Sequence, residues 1–175
     1  MKKTKKITLA AMMSALGAAL LLIGAFIEAL DLAMGAVSSV IMIFVYIELG
    51  SPYTWLVWLV TSACTFLLGT GNPMAAIWYF LLFGIWPILK AYIERLPRVI
   101  WLLPKLIFAN LIFAAAAGLY LLIFSVSPFG LDAKWMIALV WVVGNVAFVV
   151  YDMFVTAMAK VYLLKYRKRF SKLLK

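Results

Sequence analysis

Residues 1–27 read MKKTKKITLAAMMSALGAALLLIGAFI. Four lysines lie in the first six positions, and 21 apolar or small residues follow without a charge. A secretory signal peptide begins in the same way, but its apolar region is only about 7–15 residues long and ends at a small-residue cleavage site. Because the run 7–27 is longer and has no clear cleavage site, we predict a membrane span that stays in the protein.

The rest of the chain has the same apolar character. Of its 175 residues, 68% are hydrophobic and 13% are charged, and the mean hydropathy is +1.13. A soluble domain carries about a quarter charged and about half apolar residues. Since the apolar residues here form long blocks, the sequence predicts an all-α polytopic membrane bundle, a single transmembrane domain over 1–175. The net charge of +10 does not indicate nucleic acid as a partner, because the cations lie at the ends of the apolar blocks.

Six apolar blocks predict six transmembrane helices. Their approximate ranges are 7–27, 33–47, 53–68, 74–92, 105–124 and 135–159, and a basic amphipathic tail follows over 160–175. The second and third blocks are shorter than the roughly 17 residues that a span needs, so a re-entrant pair is the alternative. We favour six spans because Glu48 and Pro52 would make a polar turn between these two. Gly84 and Pro87 are expected to bend the fourth.

The lysines and arginines are distributed asymmetrically. With six spans, both termini share one side of the membrane, and fifteen of the sixteen cations fall on that side. Lys134 alone lies on the other. Cytoplasmic loops carry the Lys and Arg excess, so we expect cytoplasmic termini in a multi-pass protein of the bacterial inner (cytoplasmic) membrane. Glu28, Asp31, Asn72 and Asp132 would then face outward.

The sequence lacks the residues that several classes of chemistry require. The chain has no histidine and one cysteine, Cys64, which excludes an internal disulfide, a Cys/His metal site and a Ser-His or Cys-His nucleophile pair. No Walker A sequence occurs, and Gly69–Pro73 is a turn signal because no Lys-Ser/Thr follows it. We therefore expect neither an enzyme nor a bound cofactor or metal.

Polar residues inside the predicted spans are the first functional candidates, because burying them in lipid is costly. Asp152 lies 17 residues after Trp135, close to one end of the last span. It could serve a proton relay, but an ion pair with Lys105 or Lys90 is the favoured interpretation. Asn145 lies near the midplane, where it either lines a cavity or bonds a neighbouring backbone.

The outward half of the predicted bundle is rich in groups that suit a small-molecule pocket, which combines aromatic walls with a few polar groups. Trp and Tyr also gather at membrane interfaces, which is the alternative for the aromatic members. Lys134 either pairs with Asp132 or offers a cation to an anionic ligand. The candidate ligand-binding residues are Glu28, Asp31, Asn72, Trp78, Tyr79, Tyr120, Lys134, Trp135, Trp141 and Asn145.

The first span carries small residues at helical spacing in two neighbouring stripes. One stripe is Ala11, Ala15 and Ala19, and the other is Ala10, Ser14, Gly17 and Gly24. Small residues let helix backbones approach closely in lipid. The stripes, with Ala10, Ala11, Ser14 and Ala15 as the candidate contacts, either dock another membrane protein or pack within the same bundle.

A basic N-terminus that runs directly into an alanine-rich span with Ala11-x-x-x-Ala15, followed by five more spans in fewer than 200 residues, resembles the S component of energy-coupling-factor (ECF) transporters. The resemblance implies a substrate-binding subunit that captures a vitamin-like micronutrient. It implies docking of a transmembrane coupling subunit, driven by ATPase subunits, through Ala11 and Ala15. The outer ends of spans 4–6 and the loop between spans 1 and 2 would hold the ligand, and the whole subunit would tilt during transport.

A membrane scaffold of the cell-shape machinery, similar to the MreD family in size and span count, is the alternative. Such a scaffold needs no ligand and would bind membrane proteins of cell-wall synthesis. A bundle that is packed solid in its outward half would favour it. For either function, we expect membrane lipids among the partners of the protein.

Overall fold

The computed structural model describes residues 3–69, 73–97, 100–124, 134–167 and 170. Within these ranges it describes all side chains except those of residues 28, 120, 121, 123, 124 and 134. Within these ranges the chain is helical and contains no strand. The main helices are α1 (Lys3–Phe26), α2 (Asp31–Leu49), α3 (Ser51–Leu68), α4 (Met74–Trp78), α5 (Trp86–Ile93), α6 (Leu102–Phe124) and α7 (Lys134–Val161). A 3₁₀ turn, Glu28–Leu30, precedes α2, and π-helical turns cover Tyr79–Phe83 and Tyr162–Tyr166.

Six helical segments in the described ranges are long and apolar enough to cross a membrane. They are Lys3–Phe26, Asp31–Leu49, Ser51–Leu68, Met74–Ile93, Leu102–Leu119 and Trp135–Tyr166. The second and third contain 19 and 18 residues and are longer than the sequence predicted. Both therefore exceed the lower limit of about 17 residues for a span. The prediction of six helices of spanning length is confirmed, and this is the architecture of a multi-pass membrane protein.

The boundary between α2 and α3 explains the difference in length. Gly50 is the one residue that separates the two helices, and its φ of 87° lies in the region that favours glycine. Pro52 occupies the first turn of α3, where its missing N–H is no loss. Glu48, expected in a turn, instead belongs to the last turn of α2.

The fourth segment is interrupted where the sequence predicts a bend. The Gly84 N–H donates to the Tyr79 carbonyl (2.8 Å), which closes a π-type turn, and α5 begins at Trp86. The Trp58 indole donates to the Phe80 carbonyl (3.2 Å) within this turn. A Cβ on Gly84 would approach Trp58 Cδ1 to 2.5 Å, so only glycine lets the indole reach that carbonyl.

The chain forms two compact units, one of Met1–Leu89 with Phe154–Lys175 and one of Lys90–Met153. In the first unit α1, α2 and α3 pack against one another, and α4 contacts α1 and α2. The buried faces are lined by small and hydroxyl residues, which let the backbones approach closely. Thr61 of α3 donates to the Ser14 carbonyl of α1 (3.3 Å) and so ties two helices directly. The buried members of α1 are Ala10, Ser14, Gly17, Ala18, Leu21 and Gly24.

In the second unit α6 and α7 meet through long side chains. The Phe113 ring of α6 lies over Gly144 of α7, where an added Cβ would come within 3.2 Å of the ring. Phe113 and Trp141 make an edge contact with ring centroids 6.1 Å apart. Toward the start of α6, polar side chains continue this contact with α7 and form the two sites described next.

Candidate functional site

Two lysines and two carboxylates meet in the second unit, and we call Lys90, Glu94, Lys105 and Asp152 the lysine–carboxylate cluster. Asp152 of α7 binds Lys90 through one carboxylate oxygen and Lys105 through the other, at 2.7 Å. Glu94 binds Lys90 at 3.0 Å and Lys105 at 3.3 Å. Three chain segments are therefore joined by four ion pairs.

The cluster is shielded from water. The Lys90, Lys105 and Asp152 side chains are 5%, 11% and 15% exposed, and Glu94 is 30% exposed. The Lys90 ammonium also donates to the Asp152 carbonyl (3.2 Å). Removing an ion from water costs several kcal/mol, which is offset only when partners surround it. With two cations and two anions, the cluster is neutral as a whole.

The sequence predicted a pairing of Asp152 with Lys105 or Lys90, and the structure confirms it with both. The role of Glu94 was missed, because Glu94 lies in the basic connector between predicted spans. A signal for it existed: Glu94 follows Lys90 by four residues, the spacing at which helical side chains are neighbours.

A groove of about 200 Å³ opens beside the cluster. Its polar floor is formed by Lys105 and Asp152, and Trp101 lies with its ring 5.6 Å from the Lys105 ammonium. The other lining residues are Leu102, Leu106, Phe148 and Val149. The groove thus combines one cation and one anion with apolar and aromatic walls.

A second polar group, which we call the amide clasp, consists of Asn110, Trp141 and Asn145. The Asn110 side-chain oxygen accepts from the Trp141 indole (2.5 Å) and from the Asn145 amide (3.3 Å). Asn110 donates in return to the Asn145 oxygen (3.2 Å) and to the Leu106 carbonyl (2.8 Å). Asn145 also donates to the Trp141 carbonyl (2.9 Å). All four amide N–H donors of the two asparagines are therefore engaged, and the clasp joins α6 to α7.

Replacing Asn145 with leucine should weaken the clasp and lower the free energy of unfolding by about 0.5–2 kcal/mol, the range for a hydrogen bond between membrane helices. The Trp141 indole keeps its acceptor on Asn110, so the loss should be partial. Asn110→Leu removes that acceptor too and should cost more. Unfolding by SDS titration in mixed micelles, followed by tryptophan fluorescence, measures both. Equal free energies of unfolding for Asn145→Leu and Asn110→Leu would contradict the role of Asn110 as the shared acceptor of the amide clasp.

The predicted ligand-binding residues are distributed over both units. Trp141 and Asn145 meet in the second, whereas Asp31, Trp78 and Tyr79 belong to the first. Trp135 is 64% exposed at the start of α7. Asn72 lies outside the described residues, as do the side chains of Glu28, Tyr120 and Lys134.

Tyr79 is enclosed in the interior of the first unit. Its side chain is 1% exposed, and its hydroxyl lies beside the side chains of Thr61 and Ser38, which are fully buried. Asn145 likewise uses its amide to bind α6 rather than standing free beside a cavity. Both residues therefore contribute to packing in this conformation.

The small residues of α1 divide between its two faces. Ala10 and Ser14, predicted as docking contacts, are 7% and 5% exposed and lie on the face that packs inside the first unit. This burial favours packing within the bundle, the alternative interpretation, for these two residues. Ala11 and Ala15 are exposed on another face, together with Ala19.

These observations define an all-helical protein with six segments of membrane-spanning length, a neutral lysine–carboxylate cluster and an exposed alanine stripe on α1. Comparison with protein-family models, with curated proteins and with solved structures finds no match.

Proposed function

We propose that this protein is the substrate-binding membrane subunit of an ECF-type importer for a vitamin-like micronutrient. It would reside in the bacterial cytoplasmic membrane with both termini in the cytoplasm. Six segments of spanning length support this layout, and this topology would assign fifteen of the sixteen lysines and arginines to one side, as the positive-inside rule requires.

The observation that carries the proposal is the separation of the two small-residue stripes of α1. One stripe is used in packing against α2 and α3, while Ala11, Ala15 and Ala19 stay exposed along the same helix. Larger exposed side chains flank them, including Met12 (61%) and Leu16 (50%). An exposed row of alanines between larger residues forms a shallow groove, into which a helix of a coupling subunit can pack closely.

In this orientation the start of α7 faces outward. Trp135 and Trp141 would then lie in the outward half, where an arriving ligand could contact their rings. Asp31, the first residue of α2, would lie on the same side in this topology. These residues, with Glu28, Asn72, Trp78, Tyr120 and Lys134, remain the candidate ligand contacts.

Replacing Ala15 with tryptophan should reduce co-purification with the coupling subunit and its ATPases by at least about tenfold. An overpacked contact costs about 1–3 kcal/mol, and 1.4 kcal/mol corresponds to a factor of ten. The measurement is affinity purification from the native host, quantified by mass spectrometry. Ala15→Ser keeps the side chain small and should behave as the parent. Leu59→Trp, on the exposed surface of α3 (56%), controls for an added indole.

The same purified samples test ligand capture. Native mass spectrometry of the gently extracted parent and of Ala15→Trp should show the same small-molecule adduct, because docking and capture use different surfaces. Undiminished co-purification of Ala15→Trp would refute the docking surface. Absence of any small-molecule adduct in both samples would refute ligand capture.

A scaffold similar to the MreD family is the second candidate, and one observation favours it. Tyr79, Thr61 and Ser38 are each at most 1% exposed, so this part of the first unit is filled by its own side chains. A scaffold would dock partners through α1 as well. It predicts loss of partner binding in Ala15→Trp, no small-molecule adduct, and cell-wall synthesis proteins among the captured partners.

A further inference from the structure

The groove beside the lysine–carboxylate cluster lies on the surface of two helices of spanning length. Leu102 of α6 and Val149 of α7 both line the groove and are exposed, at 62% and 40%. Phe148, which also lines the groove, is 3% exposed. Ile107 and Leu111 of α6 and Val146 of α7 are exposed as well, at 60%, 65% and 59%. The groove is therefore accessible from the lipid phase.

The polar floor lies close to the end of α6. Lys105 is in the first turn of that helix, and Trp101 directly precedes it. The Trp101 indole donates to the Leu96 carbonyl (2.6 Å), which fixes the ring beside the groove. Tryptophan and lysine at a helix end are typical of the level of lipid headgroups. The charged floor is thus at headgroup depth, and the apolar walls continue toward the acyl chains.

The charges of the floor determine which headgroup fits. A lysine ammonium has three donors, and among the described residues the Lys105 ammonium donates to Asp152 and Glu94, so its third donor can serve a ligand acceptor. Each carboxylate oxygen can accept more than one hydrogen bond, so Asp152 can take a donor from a ligand in addition to its lysines. Because the cluster is already neutral, a ligand with a net charge would bring an uncompensated charge into a shielded site.

We propose that this groove binds a phospholipid whose headgroup carries both a phosphate and a primary ammonium, as in phosphatidylethanolamine. The phosphate accepts from Lys105, the ammonium donates to Asp152, and the acyl chains extend along the exposed faces of α6 and α7. This assignment is independent of the transporter proposal, because it uses contacts of the second unit only.

The volume of the groove agrees with the size of a phosphoethanolamine headgroup. About 200 Å³ corresponds to six or seven water molecules at roughly 30 Å³ each. A phosphoethanolamine moiety is of that size, whereas a whole phospholipid is several times larger. Only the headgroup and the adjoining glycerol would enter, so the chains must lie outside the groove. A choline headgroup carries no N–H and cannot donate to Asp152, which makes phosphatidylcholine the matched comparison lipid.

Native mass spectrometry of the delipidated full chain, titrated with phosphatidylethanolamine, phosphatidylcholine and phosphatidylglycerol of the same acyl chains, tests the proposal. We expect phosphatidylethanolamine to bind at least about tenfold more tightly than either of the others, a difference that one charge-assisted hydrogen bond provides. Equal binding of the three lipids, or preference for phosphatidylglycerol, would overturn the headgroup assignment.

The variant Leu102→Trp locates the site. It fills the mouth of the groove and leaves the four charges in place, so the tight phosphatidylethanolamine adduct should fall at least about tenfold. Leu111 lies on the same helix, is similarly exposed at 65% and does not line the groove. The control variant Leu111→Trp should therefore bind phosphatidylethanolamine as tightly as the parent protein. An unchanged adduct in Leu102→Trp would overturn the location. Displacement of the lipid by millimolar soluble phosphoethanolamine would overturn the choice of a lipid.

Discussion

Replacing Asp152 with asparagine is expected to lower the free energy of unfolding by about 3–5 kcal/mol, the cost of breaking a buried ion pair by removing one partner. Asp152 is the partner of both lysines, so its loss leaves Lys90 and Lys105 to share Glu94. Lys90 is only 5% exposed and cannot recover its hydration. SDS titration in mixed micelles, followed by circular dichroism, measures the change.

A compensating variant separates charge balance from the loss of a particular contact. Lys90→Met combined with Asp152→Asn removes one cation and one anion and leaves the Lys105–Glu94 pair. Methionine has nearly the length of lysine, and apolar replacement of buried ion pairs is often neutral. The double variant should recover at least half of the lost stability. As a control, Lys160→Met replaces an exposed lysine of α7 and should change the free energy of unfolding by less than about 0.5 kcal/mol.

Two results would contradict this account. If the free energy of unfolding of Asp152→Asn lies within about 1 kcal/mol of that of the parent protein, the cluster is solvated. Its ion pairs then behave as surface pairs, which contribute about 0–1 kcal/mol. If the double variant is less stable than Asp152→Asn, the hydrogen bonds of Lys90 outweigh the charge balance. The first outcome would also weaken the lipid proposal, since that proposal depends on a shielded, neutral floor.

The helices could be predicted from the sequence wherever length and hydropathy decide them. Six apolar blocks correspond to six segments of spanning length, and Gly84 marks the interruption of the fourth. The extent of α2 and α3 could not be predicted in the same way. In the sequence alone, Glu48 and Pro52 have the character of turn residues. A glutamate is nevertheless compatible with the last turn of a helix and a proline with the first, so the single residue Gly50 is enough to connect α2 to α3.

The candidate sites were predictable only where charge restricts the choice. An aspartate inside a span needs a cation, and Lys90 and Lys105 were the ones at its level, so the pairing followed from the sequence. The orientation of α1 had no such constraint. Its small residues cover two neighbouring stripes, and only the packing of α2 and α3 decides that Ser14 is buried and Ala15 exposed. Tyr79 shows the same limit, because an aromatic residue near a span end is equally compatible with a pocket, an interface and the interior.

Replacing Gly35 with alanine is expected to lower the free energy of unfolding by about 1–3 kcal/mol, the usual cost of overpacking. Gly35 of α2 lies against the Phe83 ring, and an added Cβ would overlap it, with Cε2 at 2.7 Å. Phe83 is 5% exposed and ends the π-helical turn, so its ring has little room to move. The contact therefore requires glycine, although alanine is the better helix former by about 1 kcal/mol.

Gly118→Ala is the matched control, because Gly118 is also in a helix but a Cβ there meets nothing within 4 Å. It should leave stability unchanged or raise it by up to about 1 kcal/mol. The second-site change Phe83→Leu should rescue Gly35→Ala, because it removes the atoms that the new methyl would strike. The double variant should be more stable than the sum of the single effects by about 0.5–3 kcal/mol, as expected for residues in contact. Strict additivity would mean that Gly35 and Phe83 are not neighbours, and the close approach of α2 to the interrupted fourth segment would have to be abandoned.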